Sequence, residues 1–175
     1  MLSLVLGGAR SGKSEVGERL AARLAGTPTV AGITYVATAV SDRGDADFDR
    51  RIALHRARRP TTWRTVEVAA GESLSPALGI DAVVIVDSLG TWVAGHAGFS
   101  VDIEDLVAAL ERRRDAAAHT ILVSDETGLG VHPETTLGLA FRDALGTLNG
   151  RLAEVADDVR LVVAGRVLVL PREEI

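Results

Sequence analysis

The nearly apolar run Met1-Leu2-Ser3-Leu4-Val5-Leu6 leads directly into Gly7-Gly8-Ala9-Arg10-Ser11-Gly12-Lys13-Ser14. From Lys13 onward, Val16, Leu20, Ala21 and Leu24 recur at helical spacing. A strand covered on both faces, a glycine-rich turn and then a helix constrain the chain to a parallel α/β sheet, whose ligands bind beyond the carboxyl ends of the strands. The turn satisfies G-x-x-x-x-G-K-[ST], in which backbone amides and the positive end of the new helix cradle phosphates. Lys13 is the only lysine among 19 basic residues. A compact ammonium on a flexible stem is what must reach the β- and γ-phosphates, while the Ser14 hydroxyl is placed to meet a bridging magnesium ion.

The length of 175 residues predicts a single domain, 1–175. Aromatic residues make up only 3% of the chain against 47% apolar residues in all, so the core must be built from Val, Leu, Ile and Ala. With no cysteine, disulfides and thiolate metal sites are excluded. A net charge of -5 offers no general attraction to nucleic acid or anionic membrane. No apolar run is long enough to span a bilayer, and the first stretch reads as a strand rather than a signal peptide, so the expected location is the cytoplasm.

Apolar runs at 33–37, 82–86, 120–123, 159–164 and 167–170 read as further strands, with a weaker one at 64–68. Helical periods fall at 48–58, 103–118 and 137–156. The alternation predicts an α/β, single-domain P-loop NTPase-like fold: a mostly parallel open sheet with flanking helices and right-handed crossovers.

Polar residues just after strands are the candidates for function. Asp87 follows residues 82–86 and is read as a magnesium ligand in preference to a helix N-cap. Thr38 ends the second strand. Asp125 and Glu126, after Ser124, can equally serve a site or open a helix. The segment Arg50-Arg51-Ile52-Ala53-Leu54-His55-Arg56-Ala57-Arg58-Arg59-Pro60 crowds guanidinium groups around a histidine. Their repulsion disfavours the imidazolium and leaves His55 a neutral nucleophile, although a solvated arginine-rich helix is the default on these residues alone. His96, His119 and His132 lack metal-ligand spacing and are expected to serve local hydrogen bonds or solvent.

Taken together, the phosphate-loop segment 7–14, Tyr35-Val36-Ala37-Thr38, Arg51-Ile52 with His55, and Arg59-Pro60 with Trp63 and Glu67 form an ordered set. Val86-Asp87-Ser88-Leu89 with Thr91-Trp92, Ser124-Asp125-Glu126-Thr127-Gly128 with Pro133, and Phe141-Arg142-Asp143 with Asn149 complete it. The set resembles the bifunctional adenosylcobinamide kinase/adenosylcobinamide-phosphate guanylyltransferase family of cobalamin biosynthesis, from the first strand to about residue 165.

The resemblance implies two reactions. A nucleoside triphosphate, ATP or GTP with Mg2+, phosphorylates adenosylcobinamide; GMP then passes from GTP to adenosylcobinamide phosphate through a guanylylated histidine. His55 matches that histidine, which reverses the default. Lys13 would serve both steps, with Ser14 and Asp87 as magnesium ligands. Gly7, Gly8, Ala9, Arg10, Ser11, Gly12, Lys13 and Ser14 match the nucleotide loop. Ala37, Thr38, Ala39, Arg56, Ala57, Arg58, Arg59, Glu67 and Asp87 match positions around the guanine nucleotide. A homotrimer is implied as well. Asp125 stands where many members have Asn, Thr127 replaces Val, Gly95 replaces a common Asn, and Leu54 replaces the first histidine of a pair. The alternatives are a P-loop small-molecule kinase without guanylyl transfer, or a non-catalytic nucleotide-responsive binding protein.

Overall fold

Seven strands form one sheet in the computed structural model, which describes residues 1–26, 32–38, 50, 53, 57 and 59–172. They are β1 (Leu2–Gly7), β2 (Ile33–Ala37), β3 (Arg64–Glu67), β4 (Val83–Asp87), β5 (His119–Asp125), β6 (Asp158–Val163) and β7 (Arg166–Val169). The order is β3-β2-β4-β5-β1-β6-β7, parallel throughout except for β7, which returns antiparallel on β6. The expected mostly parallel sheet with flanking helices is thus present. The α-helices that lie wholly among the described residues are α1 (Lys13–Leu24), α2 (Leu89–Ala94), α3 (Ile103–Asp115) and α4 (Thr136–Val155).

Successive side chains along a strand point to opposite faces. Here both faces are covered, which is why the central strands read as unbroken apolar runs. Val5, Tyr35, Ile85, Ile121 and Val123 pack under Val16, Leu20 and Ala21 of α1. Leu4, Leu6, Val36, Val84, Val86 and Leu122 meet Leu89, Trp92, Leu106, Leu110, Leu145, Leu148 and Leu152 of α2, α3 and α4. Gly17 lets α1 lie close on the sheet, because a Cβ there would come 2.8 Å from Val123 Cγ2.

Side-chain caps fix the starts of the other helices. Ser88, Asp102 and Thr135 accept from the amides of Thr91, Asp105 and Gly138. Helix α2 is absent from the periodicity because six residues including Gly90, Thr91 and Val93 carry little helical preference; its burial against the core holds it. Helix α3 ends at Asp115 rather than 118, since Ala117 takes φ 58 and turns the chain into β5. Of the expected 48–58 helix, Arg50, Ala53 and Ala57 are described as helical and exposed; its other residues lie outside the described set.

Arg113 of α3 is buried and spends its guanidinium on structure. Nε donates to Thr120 Oγ1, Nη1 to the carbonyls of Leu78 and Gly79, and Nη2 to those of Asp81 and His119, all at 2.9–3.1 Å. It ties the approach to β4 to the start of β5.

Candidate active site

Register brings the carboxyl ends of five strands to one edge. Glu67 and Asp87 each pair with Ala37, Asp87 pairs with Val123, and Asp125 pairs with Gly7. Three strand spacings separate Gly7 from Ala37, about 14 Å. The loop between β1 and α1 occupies one end of this edge, and the Ala37–Glu67 pair the other.

The loop is built as its glycines require. Gly12 has φ 92, and a Cβ on Gly7 would meet Ser11 Oγ at 2.5 Å and the Val162 carbonyl at 2.8 Å. Gly8, Ala9 and Arg10 are exposed, whereas Ser11 is buried. The Ser11 amide donates to Gly8 O at 3.2 Å, and the Gly165 amide at the β6–β7 turn donates to Ser11 O at 2.8 Å, clamping the loop from behind. Lys13 and Ser14 are the first two residues of α1, where unpaired amides and the helix dipole favour an anion.

The Lys13 side chain is 11% exposed; its Nζ lies 2.7 Å from Asp125 Oδ1 and donates to Gly8 O at 3.3 Å. Asp125 thus faces the lysine of the loop and opens no helix, the next one starting at Thr136. Its main chain is held by the Asn149 amide, which donates to Asp125 O at 3.0 Å, while Asn149 Oδ1 accepts from the Ser124 hydroxyl at 2.6 Å. Asn149 is a positioning residue whose role the sequence motif did not reveal. Gly90 borders the same carboxylate so closely that any Cβ would strike Asp125 Oδ2. The neighbouring Glu126 accepts from the Gly128 amide at 2.6 Å.

Asp87 closes β4, two strands from the loop. The Tyr35 hydroxyl donates to its Oδ2 at 2.6 Å. Burial, and then the Asp87 carboxylate beside it, push the Tyr35 hydroxyl well above the usual phenol range. Arg59 stacks its guanidinium 3.4 Å from the centre of the Tyr35 ring, and its buried Nε has no hydrogen-bond partner. One aromatic ring thus joins the end of the arginine segment to the candidate metal carboxylate. Tyr35 is a site residue that strand patterning alone treats as core.

Thr38 is buried and its hydroxyl is committed to the turn after β4. It donates to Ser88 O at 2.7 Å, accepts from the Ser88 amide at 3.0 Å and lies 2.6 Å from Thr91 Oγ1. Ala37 is buried beside it, while Glu67 and Ala57 are exposed. Ala39, His55, Arg56 and Arg58 lie outside the described residues. Ser14 and Asp87 offer hard oxygen donors that suit magnesium. Among the described residues no group of three or more His, Cys, Asp or Glu could hold a metal by itself, so an ion here would share its shell with phosphate oxygens and water.

The histidines expected to be local behave so where a partner is seen: His96 Nδ1 lies 2.9 Å from Trp92 O and His132 Nδ1 3.1 Å from Pro133 O. His119 Nδ1 is buried without a partner. Gly95 is tightly placed, since a Cβ would lie 3.2 Å from Ala70 Cα. An open cleft of about 950 Å³ between α4 and the β1–β6 side of the sheet reaches the site at Leu6, Glu126 and Asn149. No described helix is long and apolar enough to cross a membrane.

The chain has known relatives. The profile of the family described as cobinamide kinase / cobinamide phosphate guanyltransferase matches residues 3–170. The bifunctional adenosylcobalamin biosynthesis protein CobP of Pseudomonas aeruginosa is 39% identical over 179 residues, covering 99% of each chain. The bifunctional adenosylcobalamin biosynthesis protein CobU of Escherichia coli is 34% identical over 186 residues, covering 94% of this chain and 97% of its own. Among solved structures, flagellar accessory protein FlaH of Methanocaldococcus jannaschii superposes with a TM-score of 0.54 at 16% identity, over 95% of this chain and 74% of its own, a likeness of fold alone.

Proposed function

The chain belongs to the cobinamide kinase / cobinamide phosphate guanyltransferase family, and from that premise we propose that its strand-end site serves both reactions with one phosphate loop. The enzyme phosphorylates adenosylcobinamide from a nucleoside triphosphate, ATP or GTP, and transfers GMP from GTP to adenosylcobinamide phosphate. The observation that carries the site assignment is Lys13 at the start of α1, directly beyond β1, with Asp125 and Asp87 on the next two strand ends.

In the kinase step, the amides of Gly7 to Ser14 and the Lys13 ammonium hold the β- and γ-phosphates and gather the charge that spreads over the transferred phosphoryl group. Ser14 and Asp87 would hold Mg2+, which when bound would neutralise phosphate charge. Tyr35 fixes the Asp87 carboxylate by its hydrogen bond, and Arg59 stacked on that ring directs positive charge toward the same place. The acceptor hydroxyl approaches through the cleft beside Leu6 and Glu126.

In guanylyl transfer, the neutral imidazole of His55 attacks the α-phosphorus of GTP as the bond to pyrophosphate breaks. A phosphate oxygen of adenosylcobinamide phosphate then displaces the imidazole and takes the GMP. Arg56, Arg58 and Arg59 neutralise the developing charge, and Ala37, Thr38, Ala39, Ala57 and Glu67 belong to the nucleotide's other end. The protein acts in the cytoplasm as a homotrimer. The exposed apolar run on the β6–β7 hairpin, Val163, Val167, Leu168 and Val169 at 43–60% exposure, supports self-association.

Incubation with GTP labelled at the α-phosphate tests the reading. The expected result is an acid-labile, base-stable protein adduct that is absent in His55→Ala, while that variant still phosphorylates adenosylcobinamide and Lys13→Ala does neither. An unlabelled wild-type protein, folded and supplied with magnesium, would leave a kinase without guanylyl transfer.

A further inference from the structure

Lys13 is paired with a carboxylate. Its ammonium meets Asp125 Oδ1 at 2.7 Å, and neither side chain is freely solvated, at 11% and 30% exposure. The carboxylate is not a swinging surface group. Its backbone is paired with Gly7, its carbonyl is tied to Asn149, and Gly90 leaves room for its other oxygen and nothing larger. It is therefore fixed against the one lysine of the chain, the group that the loop offers to a phosphate.

We propose that Asp125 is a tethered competitor for Lys13 that makes triphosphate binding depend on a divalent cation. This rests on the reading of Gly7–Ser14 as the phosphate loop. An entering triphosphate must displace the carboxylate from Lys13 and then sit beside it, so like charges face each other at short range in a partly desolvated site. A bare triphosphate carries the full repulsion. A triphosphate whose charge is offset by a divalent ion carries much less. Asp125 therefore sorts ligands by net charge at the loop, whereas Lys13 and the amides supply attraction to either form.

Calorimetric titration of GTP, once with excess EDTA and once with excess magnesium, separates the two states. In Asp125→Asn the shape is kept and the charge removed, so metal-free GTP should bind about tenfold more tightly and magnesium–GTP no more than about threefold, narrowing the ratio between the two. Asp125→Ala should reproduce most of the metal-free gain. If only the Asn variant gains, a new amide hydrogen bond is responsible and the proposal falls. It also falls if metal-free affinity is unchanged or weaker in Asp125→Asn, or if that variant selectively loses magnesium–GTP, as a metal ligand would. Lys13→Ala tests the underlying reading separately: wild-type GTP affinity in that variant would remove the phosphate loop itself.

Discussion

Replacing Tyr35 by Phe removes one oxygen and leaves the ring on which Arg59 stacks. The lost bond runs from a buried hydroxyl to a carboxylate at 2.6 Å. A hydrogen bond to a charged group is worth about 1.5–3 kcal/mol. Asp87 is only partly buried and keeps other contacts, so water can take up some of the loss. The cost belongs at the low end, about 1.5 kcal/mol, or about 3–6 °C in melting temperature for a chain of this size. Tyr35→Leu also removes the ring under the Arg59 guanidinium, 3.4 Å from its centre, and should cost about 1–2 kcal/mol more. Urea denaturation of the three proteins at neutral pH measures both steps. The alkaline limb gives an independent sign. Burial and Asp87 raise the pKa of folded Tyr35, while an unfolded tyrosine ionises near about 10. Above that pH the unfolded wild-type chain releases a proton that the folded chain keeps, so the advantage of wild type over Tyr35→Phe should shrink as pH rises. Tyr35 is the only tyrosine, so tyrosinate absorbance should appear with unfolding and not before it. A Phe variant as stable as wild type, or one costing as much as Leu, would refute the assignment of Tyr35 as the group that orients Asp87.

Arg113→Lys keeps a charge but not the fork that serves four carbonyls and Thr120, so it should lose at least about 3 kcal/mol in chemical denaturation, with Arg113→Met no better; a loss below about 1 kcal/mol would show the fork to be dispensable. Burial, with the N-terminal ammonium and Arg113 nearby, lowers the pKa of His119. Its contribution is present above the unfolded value of about 6.5 and lost as pH falls toward the depressed folded value. Stability curves at pH 7.5 and 5.5, conditions chosen to lie about one unit either side of that value, should accordingly fall less steeply for His119→Gln than for wild type, and equal slopes would contradict the shift.

Much of this fold is visible in the residue pattern because the sheet is covered on both sides: Leu4 to Leu6 and Val83 to Val86 are apolar without alternation, and the turn at Gly7 to Ser14 permits little but a strand before it and a helix after it. What escaped notice depends on contacts between distant segments. Tyr35 and Asp87 are 52 residues apart, Leu78 and Arg113 are 35, and Asp125 and Asn149 are 24, so no local period marks them. Helix α2 escaped because its six residues are held by burial rather than by preference.

The two aspartates show most clearly what topology adds. Each ends an apolar strand; on sequence alone Asp87 reads as a metal ligand ahead of a helix cap, and Asp125 stands evenly between serving a site and opening a helix. The order β4-β5-β1 separates their surroundings. Strand β5 lies between the loop strand and β4, so Asp125 pairs in register with Gly7 and reaches Lys13, whereas Asp87 lies one strand farther from the loop, where β2 supplies Tyr35. A carboxylate paired with the ammonium and a carboxylate that accepts from the Tyr35 hydroxyl differ by one strand position.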